Sequence, residues 1–425
     1  MITVKKPLLF ALTSLFLSAT ASAQSTSISL NNTNSPYSRF GVGTLNDFGF
    51  SSSRGMGGIG IAINNGREIN TLNPASYSKV DSLTCLFEGG ISMQNTHFSE
   101  GGNSNSANNS SFDYLAMQFR IAPNLGVTFG LLPFSSVGYN FGAQQDNGSS
   151  DTDLSTATQS YYGSGGIHQV FIGLGYEVLP HLSIGTNISY LFGAISRSSV
   201  STNGDKEVSQ IGTLNIYDYK IDLGAQYEFL LNEAKQQKVT LGATYSLGHS
   251  MNTSSASDIN TDLNAGLKMP HSFGLGASYS DKKWVVGADY TLQLWKNFTD
   301  PLINLSTIGQ QEMSNRNRVA AGAEWTPDLY SKSYTKRIKY RFGAYYTSPY
   351  YKVATTSGIW QDGPTEVGAT AGFGLPIPAL GNRSLLNISL QYSHVKAPQL
   401  LTESTFRICI GLTFNETWFK KWKVD

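Results

Sequence analysis

From Asp218 to Phe229 the chain alternates strictly. Tyr219, Ile221, Leu223, Ala225, Tyr227 and Phe229 share one face; Asp218, Lys220, Asp222, Gly224, Gln226 and Glu228 share the other. A period of two marks a β-strand with one apolar and one polar side. The stretch 182–193 repeats the pattern, as do 386–393 and 406–415, where Phe406, Ile408, Ile410, Leu412 and Phe414 oppose Arg407, Cys409, Gly411, Thr413 and Asn415. Marking every such run predicts fourteen strands, near 83–95, 112–121, 125–140, 167–178, 181–196, 213–229, 238–249, 271–280, 283–296, 317–326, 336–347, 365–377, 384–395 and 405–415. The fold class expected is all-β.

Strands of this kind build either a soluble sandwich or propeller, or a transmembrane barrel whose apolar face meets lipid. The connections separate the two. Ala122-Pro123-Asn124, Leu179-Pro180 and Ser280-Asp281-Lys282 are short, whereas 96–111, 141–166, 250–270, 297–316 and 348–365 are longer and rich in Ser, Asn, Asp, Thr and Gly. Short turns on one side and long polar loops on the other predict a 14-stranded antiparallel transmembrane β-barrel over 83–415, with the short side periplasmic. An even strand count then puts both termini in the periplasm. Tyr176, Tyr227, Phe229, Trp284 and Trp325 near the short turns, and Tyr190, Phe192, Tyr217, Tyr346 and Tyr392 near the long loops, are expected to form two interfacial girdles.

Composition agrees. Charged residues make up 14% of the 425, against about 25% in soluble domains. With 30 Lys+Arg and 29 Asp+Glu, the chain lacks the basic excess of a nucleic-acid binder. Lys5 and Lys6, an apolar run to about Leu17 and the small residues Ala21-Ser22-Ala23 read as a signal peptide over 1–23. Beyond it no window approaches the roughly 18 apolar residues of a membrane-spanning helix.

Residues 24–82 do not alternate. They contain Pro36-Tyr37-Ser38-Arg39-Phe40-Gly41, then Arg54-Gly55-Met56-Gly57-Gly58, then Leu72-Asn73-Pro74-Ala75-Ser76-Tyr77. Glycine permits close backbone packing and positive φ, so a plug folded inside the lumen is expected; a flexible periplasmic leader is the alternative. A Gly-rich segment ending in Asn-Pro-Ala just before fourteen strands resembles the FadL family of outer-membrane transporters for long-chain fatty acids and other hydrophobic molecules. The wording of these motifs, and the ending Gly411-Leu412-Thr413-Phe414-Asn415, resembles the branch of that family found in Bacteroidota.

The resemblance implies a lumenal hatch, with Arg54, Gly57, Gly58, Asn73, Pro74 and Ala75 as its marked positions. It also implies a kinked third strand through which a hydrophobic small molecule leaves sideways into the membrane. Leu132-Pro133-Phe134 lies in mid-strand there, and proline cannot donate a ladder hydrogen bond. Pro133 is therefore expected at a lateral opening, with Leu132, Phe134, Tyr139 and Phe141 along the route; a bulge at the barrel rim is the alternative. The loops depart from the family's apolar capture helices, offering only scattered residues such as Leu302, Ile303, Leu305 and Ile308. Some FadL-like relatives in Bacteroidota act instead as subunits of envelope complexes, in type IX secretion or outer-membrane assembly. Those relatives imply protein partners beside outer-membrane lipid and lipopolysaccharide.

Catalysis finds little support. The six histidines show no metal-ligand spacing, no cofactor is expected, and Gly57-Gly58-Ile59-Gly60 lacks the strand and helix of a dinucleotide site. Asp151 and Asp153 offer ligands for a surface calcium ion, but a solvated loop is the expectation for them. The inward charges, among them Arg120, Asp289, Arg318, Glu324, Lys339, Arg341 and Arg407, are expected to pair with one another and with Arg54, Arg67 and Glu68. Residues 416–425, with Trp418, Phe419 and Trp422, read as a periplasmic interfacial tail.

Overall fold

The computed structural model describes residues 33–82, 84–145, 157–203, 206–257, 267–298, 311–354, 360–378, 383–398 and 400–417. The expected signal peptide, the Asp151 and Asp153 pair, the scattered apolar residues at 302–308 and residues 418–425 of the tail lie outside them. Fourteen antiparallel strands form the wall: β1 (Thr84–Glu100), β2 (Asn103–Ala122), β3 (Leu125–Gln145), β4 (Ala157–Leu179), β5 (Leu182–Asn203), β6 (Lys206–Asn232), β7 (Gln237–Ser246), β8 (Ser272–Ser280), β9 (Trp284–Gln293), β10 (Arg316–Trp325), β11 (Lys339–Thr347), β12 (Thr365–Pro376), β13 (Leu385–Lys396) and β14 (Thr402–Thr417). Consecutive strands pair, and β1 closes on β14 from Thr84↔Thr417 to Ser99↔Thr402. Closure leaves no free edge in the lipid layer, which is what a spanning sheet requires.

Side-chain direction follows the alternation. On β10, Arg316, Arg318, Ala320 and Glu324 are buried inward while Val319 and Trp325 are exposed. On β6, Asp218, Gln226 and Glu228 are buried, and Tyr219, Leu223, Tyr227 and Phe229 are exposed. The outward aromatics include a row across neighbouring strands near the short turns, Trp284, Trp325, Tyr340 and Phe373, with successive ring centroids 5.5–6.0 Å apart. Cys85 and Cys409 are free thiols; Cys409 faces inward, where Arg54 Nη1 lies 3.5 Å from its sulfur.

Turns at one end are tight, and Asn124 and His181 take the positive φ these turns demand, 62° and 71°. The opposite end differs from expectation. Residues 96–111 are not a loop but the continuation of β1 and β2 through a turn at Gly101-Gly102, and β3 to β6 also extend past their predicted ends. Above the lipid boundary a hairpin needs no apolar face, so its Asn- and Ser-rich strands carry no alternation to read. At that end buried side chains form an apolar cluster, including Trp295, Phe298, Tyr350, Tyr351, Met269 and Leu267 from the loops.

Candidate functional site

The lumen is occupied by residues 33–82. Of the three short helical turns in this segment, Pro36–Arg39 and Pro74–Lys79 have proline at the start. Ser35 Oγ accepts from Tyr37 N at 3.2 Å and Asn73 Oδ1 from Ala75 N at 3.0 Å, capping them. Asn73 Nδ2 also donates to Ile61 O at 2.7 Å and to Ala225 O on β6 at 3.1 Å, tying two parts of the segment to the wall. Gly57 and Gly58 stand at φ 70° and 77°, a region costly for other residues. Their carbonyls accept from Arg318 Nη2 at 2.6 Å and Nη1 at 3.4 Å, and Gly57 N donates to Thr370 at 2.8 Å. Asp289 accepts from Gly60 N and Ile61 N at 2.6 and 2.9 Å.

Buried ion pairs add to this. Arg54 lies 3.3 Å from Asp113 of β2. Glu68 meets Arg341 at 2.7 Å and Lys339 at 2.8 Å, and Glu324 meets the same two cations at 2.7 and 3.3 Å. Burial would raise the Glu68 carboxyl, but Arg341 and Lys339 outweigh it and hold it down to about 2. Lys79 bridges Glu177 at 2.9 Å and Glu228 at 3.2 Å, and Asp47 meets Arg316 at 2.5 Å. Arg67 departs from the expected pattern: it pairs at 3.5 Å with Asp81 of the same segment, in solvent.

The wall accommodates the segment through its own glycines. A Cβ built on Gly126 would stand 1.9 Å from Tyr77 O, on Gly185 2.3 Å from Pro74 C, on Gly224 2.0 Å from Asn73 Oδ1, on Gly242 2.1 Å from Ile61 O, on Gly322 2.3 Å from Met56 O, and on Gly343 2.2 Å from Gly57 N. Neighbours in this belt are paired across the strands, as Gly126↔Gly175, Gly175↔Gly185, Gly185↔Gly224 and Gly322↔Gly343. Segment backbone thus lies directly on wall backbone around most of the circumference. Sequence reading missed the belt, although glycines at inward positions of successive strands are its visible signal.

The third strand holds a seam. Pairing of β2 with β3 ends at Leu115↔Leu131. Beyond it β3 remains paired with β4, with a register shift between Pro133 and Ser135. The edge that β2 has left is taken by the lumenal segment. Thr44 and Leu45 pair with Ser136 and Ser135, Asn46 N donates to Phe134 O at 3.0 Å, Asn46 Nδ2 to Pro133 O at 3.2 Å, and Ser38 Oγ both donates to Gly138 O and accepts from Gly138 N.

The residues expected along a lateral route fall into two groups. Leu132 packs with Phe50, Ile69, Val80, Leu86, Tyr114, Ala116 and Phe171, whereas Tyr139, Phe134 and Phe141 join the apolar cluster at the long-loop end. Pro133 lies between, lining two cavities of about 190 Å³. Both have mixed linings: one sets Arg54, Asp113, Arg316 and Arg407 beside Leu45, Phe48 and Tyr350, the other Lys220, Asp222 and Arg318 beside Leu72, Phe134 and Trp295. The expected hatch positions Arg54, Gly57, Gly58, Asn73, Pro74 and Ala75 are all buried.

Solved structures share this architecture. The P. putida toluene transporter TodX superposes with a TM-score of 0.55 at 14% identity, covering 88% of this chain and 100% of that one. A Pseudomonas aeruginosa FadL homologue gives 0.54 at 11%, covering 87% and 99%. The Ralstonia pickettii toluene transporter TbuX gives 0.53 at 15%, also covering 87% and 99%. The barrel is thus FadL-like, the fold of a bacterial outer-membrane protein. No curated protein matches the chain in sequence. The family model described as BamG matches residues 4–425, and the chain belongs to the BamG family.

Proposed function

We propose that this FadL-like barrel is a subunit of an outer-membrane protein assembly, in which its plugged lumen serves as a rigid core and its ends meet partner proteins. The observation that carries the reading is the occupied lumen. Residues 33–82 are fastened by buried and half-buried ion pairs to β2, β4, β6, β10 and β11, and the cavities beside the seam are small, about 190 Å³, with charged groups among their lining residues. Sites for hydrophobic ligands are larger, typically about 300–1,000 Å³. The match to hydrocarbon channels, by contrast with the whole-length match to the BamG family, lies in the fold alone, at 11–15% identity.

A second reading, uptake of a hydrophobic small molecule with lateral release at β3, draws support from the seam above Leu131 and from the fold shared with the toluene transporters. Leu132, Pro133, Phe134, Tyr139 and Phe141 would line that route once residues 38–46 moved off the β3 edge. Extraction from the native outer membrane in mild detergent, followed by native mass spectrometry, separates the two. A stoichiometric complex with other envelope proteins and no bound hydrophobic molecule is expected. A monomer carrying a defined hydrophobic molecule, lost on substituting Pro133 and Phe134, would overturn the subunit reading in favour of transport. In either reading both termini and the short turns face the periplasm.

A further inference from the structure

The end of the barrel with the tight turns opens into a cavity of about 850 Å³, far larger than those at the seam. It lies between the lumenal segment at Ile63–Asn70 and the turns joining β8 to β9 and β10 to β11. The second of these breaks the local rule of tight turns. It runs over residues 326–338 and contains its own helical turn, Tyr334–Arg337. Tyr330 at its tip is 86% exposed, well off the strand ends where the girdle aromatics sit.

Charge in this cavity is unbalanced by pairing. Lys339 is consumed by Glu68 and Glu324. Asp281 accepts from Lys283 N and Trp284 N at 2.7 and 2.8 Å, and Asp328 accepts from Tyr330 N at 3.1 Å; even with both carboxylates counted, the cations lining the cavity outnumber its acids. Lys282, Lys283, Arg337 and Arg383 line the same cavity and form no salt bridge among the described residues, Lys283 acting on Asp281 only at longer range. Lys332 and Lys336 stand exposed on the long turn beside them. Cations around a cleft raise the local concentration of an anionic partner, and Arg with Tyr is the pairing that interfaces favour at their centres.

We infer that this vestibule and the 326–338 turn dock an acidic, extended segment of a water-soluble protein partner. The inference rests on the subunit reading and names the chemistry of one partner. The cations line the inside of the rim and the outward girdle is a separate aromatic row, so the site faces the aqueous mouth of the barrel and not lipid headgroups. The volume and the projecting Tyr330 suit a chain segment better than a small anion.

The test titrates the full mature protein, held in nanodiscs of zwitterionic phosphatidylcholine, with fluorescently labelled poly-L-glutamate, and with poly-L-lysine as control. Poly-L-glutamate should bind in a salt-sensitive manner and poly-L-lysine should not. Combining Lys282→Glu, Lys283→Glu, Arg337→Glu and Arg383→Glu should weaken binding roughly tenfold or more. The corresponding set of glutamine substitutions should give an intermediate loss. Heat-modifiable migration on gels identifies folded variants, and the glutamine set supplies the answer where the reversed set does not fold. Equal affinity of wild type and folded variants would overturn the inference, as would binding that appears only when the nanodiscs contain anionic lipid. Native-membrane pull-down with the same variants separates the two levels. An envelope complex retained by variants that no longer bind poly-L-glutamate would overturn the docking site and leave the subunit reading intact. The absence of any complex from wild-type membranes would remove that reading itself.

Discussion

Gly185 shows how finely the lumen is fitted. Any side chain there would meet the backbone of Pro74 at 2.3 Å, and overpacking of a close-packed interior costs about 1–3 kcal/mol. Gly185→Ala should therefore lower the temperature at which the barrel loses its heat-modifiable gel mobility, while Gly142→Ala, whose nearest neighbour is Ser160 Oγ at 3.4 Å, should leave it unchanged. Arg341 is the second sensitive position. Arg341→Met leaves the buried carboxylates of Glu68 and Glu324 to share Lys339, and since breaking a buried pair outright typically costs about 3–5 kcal/mol, a loss of a few kcal/mol is expected. The Glu68 carboxyl is held below its ordinary value, so its stabilising contribution is present above that value and is lost as pH falls through about 2. Melting curves from pH 6 to 2 should show an acid-dependent decline that is shallower in Glu68→Gln. The partners of Glu68 were only half legible in the sequence. Alternation puts Lys339 and Arg341 on the inward face of β11, but nothing in the pattern says which lumenal carboxylate they meet.

The strands themselves were readable where lipid imposes a period of two, and unreadable where they rise into water. That is why 83–95 and 112–121 were visible while the hairpin they share, turning at Gly101-Gly102, looked like a loop. Pro133 was read from its missing N–H, and β3 does carry a register shift there. What the proline could not reveal is that the edge freed above Leu131 is occupied by Thr44, Leu45 and Asn46. Asn46→Ala removes the hydrogen bond to Pro133 O and the acceptor at 3.3 Å from Arg54. Hydrogen exchange should then quicken over residues 132–138 and remain slow over 125–131, where β2 and β4 both pair with β3. Uniform protection across the strand would mean that the segment contributes nothing to the seam.

At the scale of the molecule, the barrel behaves as a filled cylinder. Planar-bilayer recordings of the wild-type protein should show no large steady conductance. Arg341→Met, which frees one side of the segment, should raise the frequency of brief openings. A persistent porin-like current in the wild type would contradict the packing seen around Gly57, Gly58 and Asn73. The FadL-like layout was legible from loop lengths and the Asn73-Pro74-Ala75 motif. The docking surface at the short turns was not, because a basic turn between two strands looks like any solvated connection until the lumenal segment is seen beneath it.

The belt of paired glycines has a bearing on biogenesis. Residues 33–82 are synthesised before any strand of the wall, yet their backbone rests against strands from β3 round to β12. A cylinder with so little clearance cannot be threaded after its first and last strands have joined. The segment must be in place while the sheet is still curling, acting as the mandrel on which the wall is rolled. Loss of the segment would then be felt first as a failure of closure, in the yield of finished barrels, before any change in what passes through them.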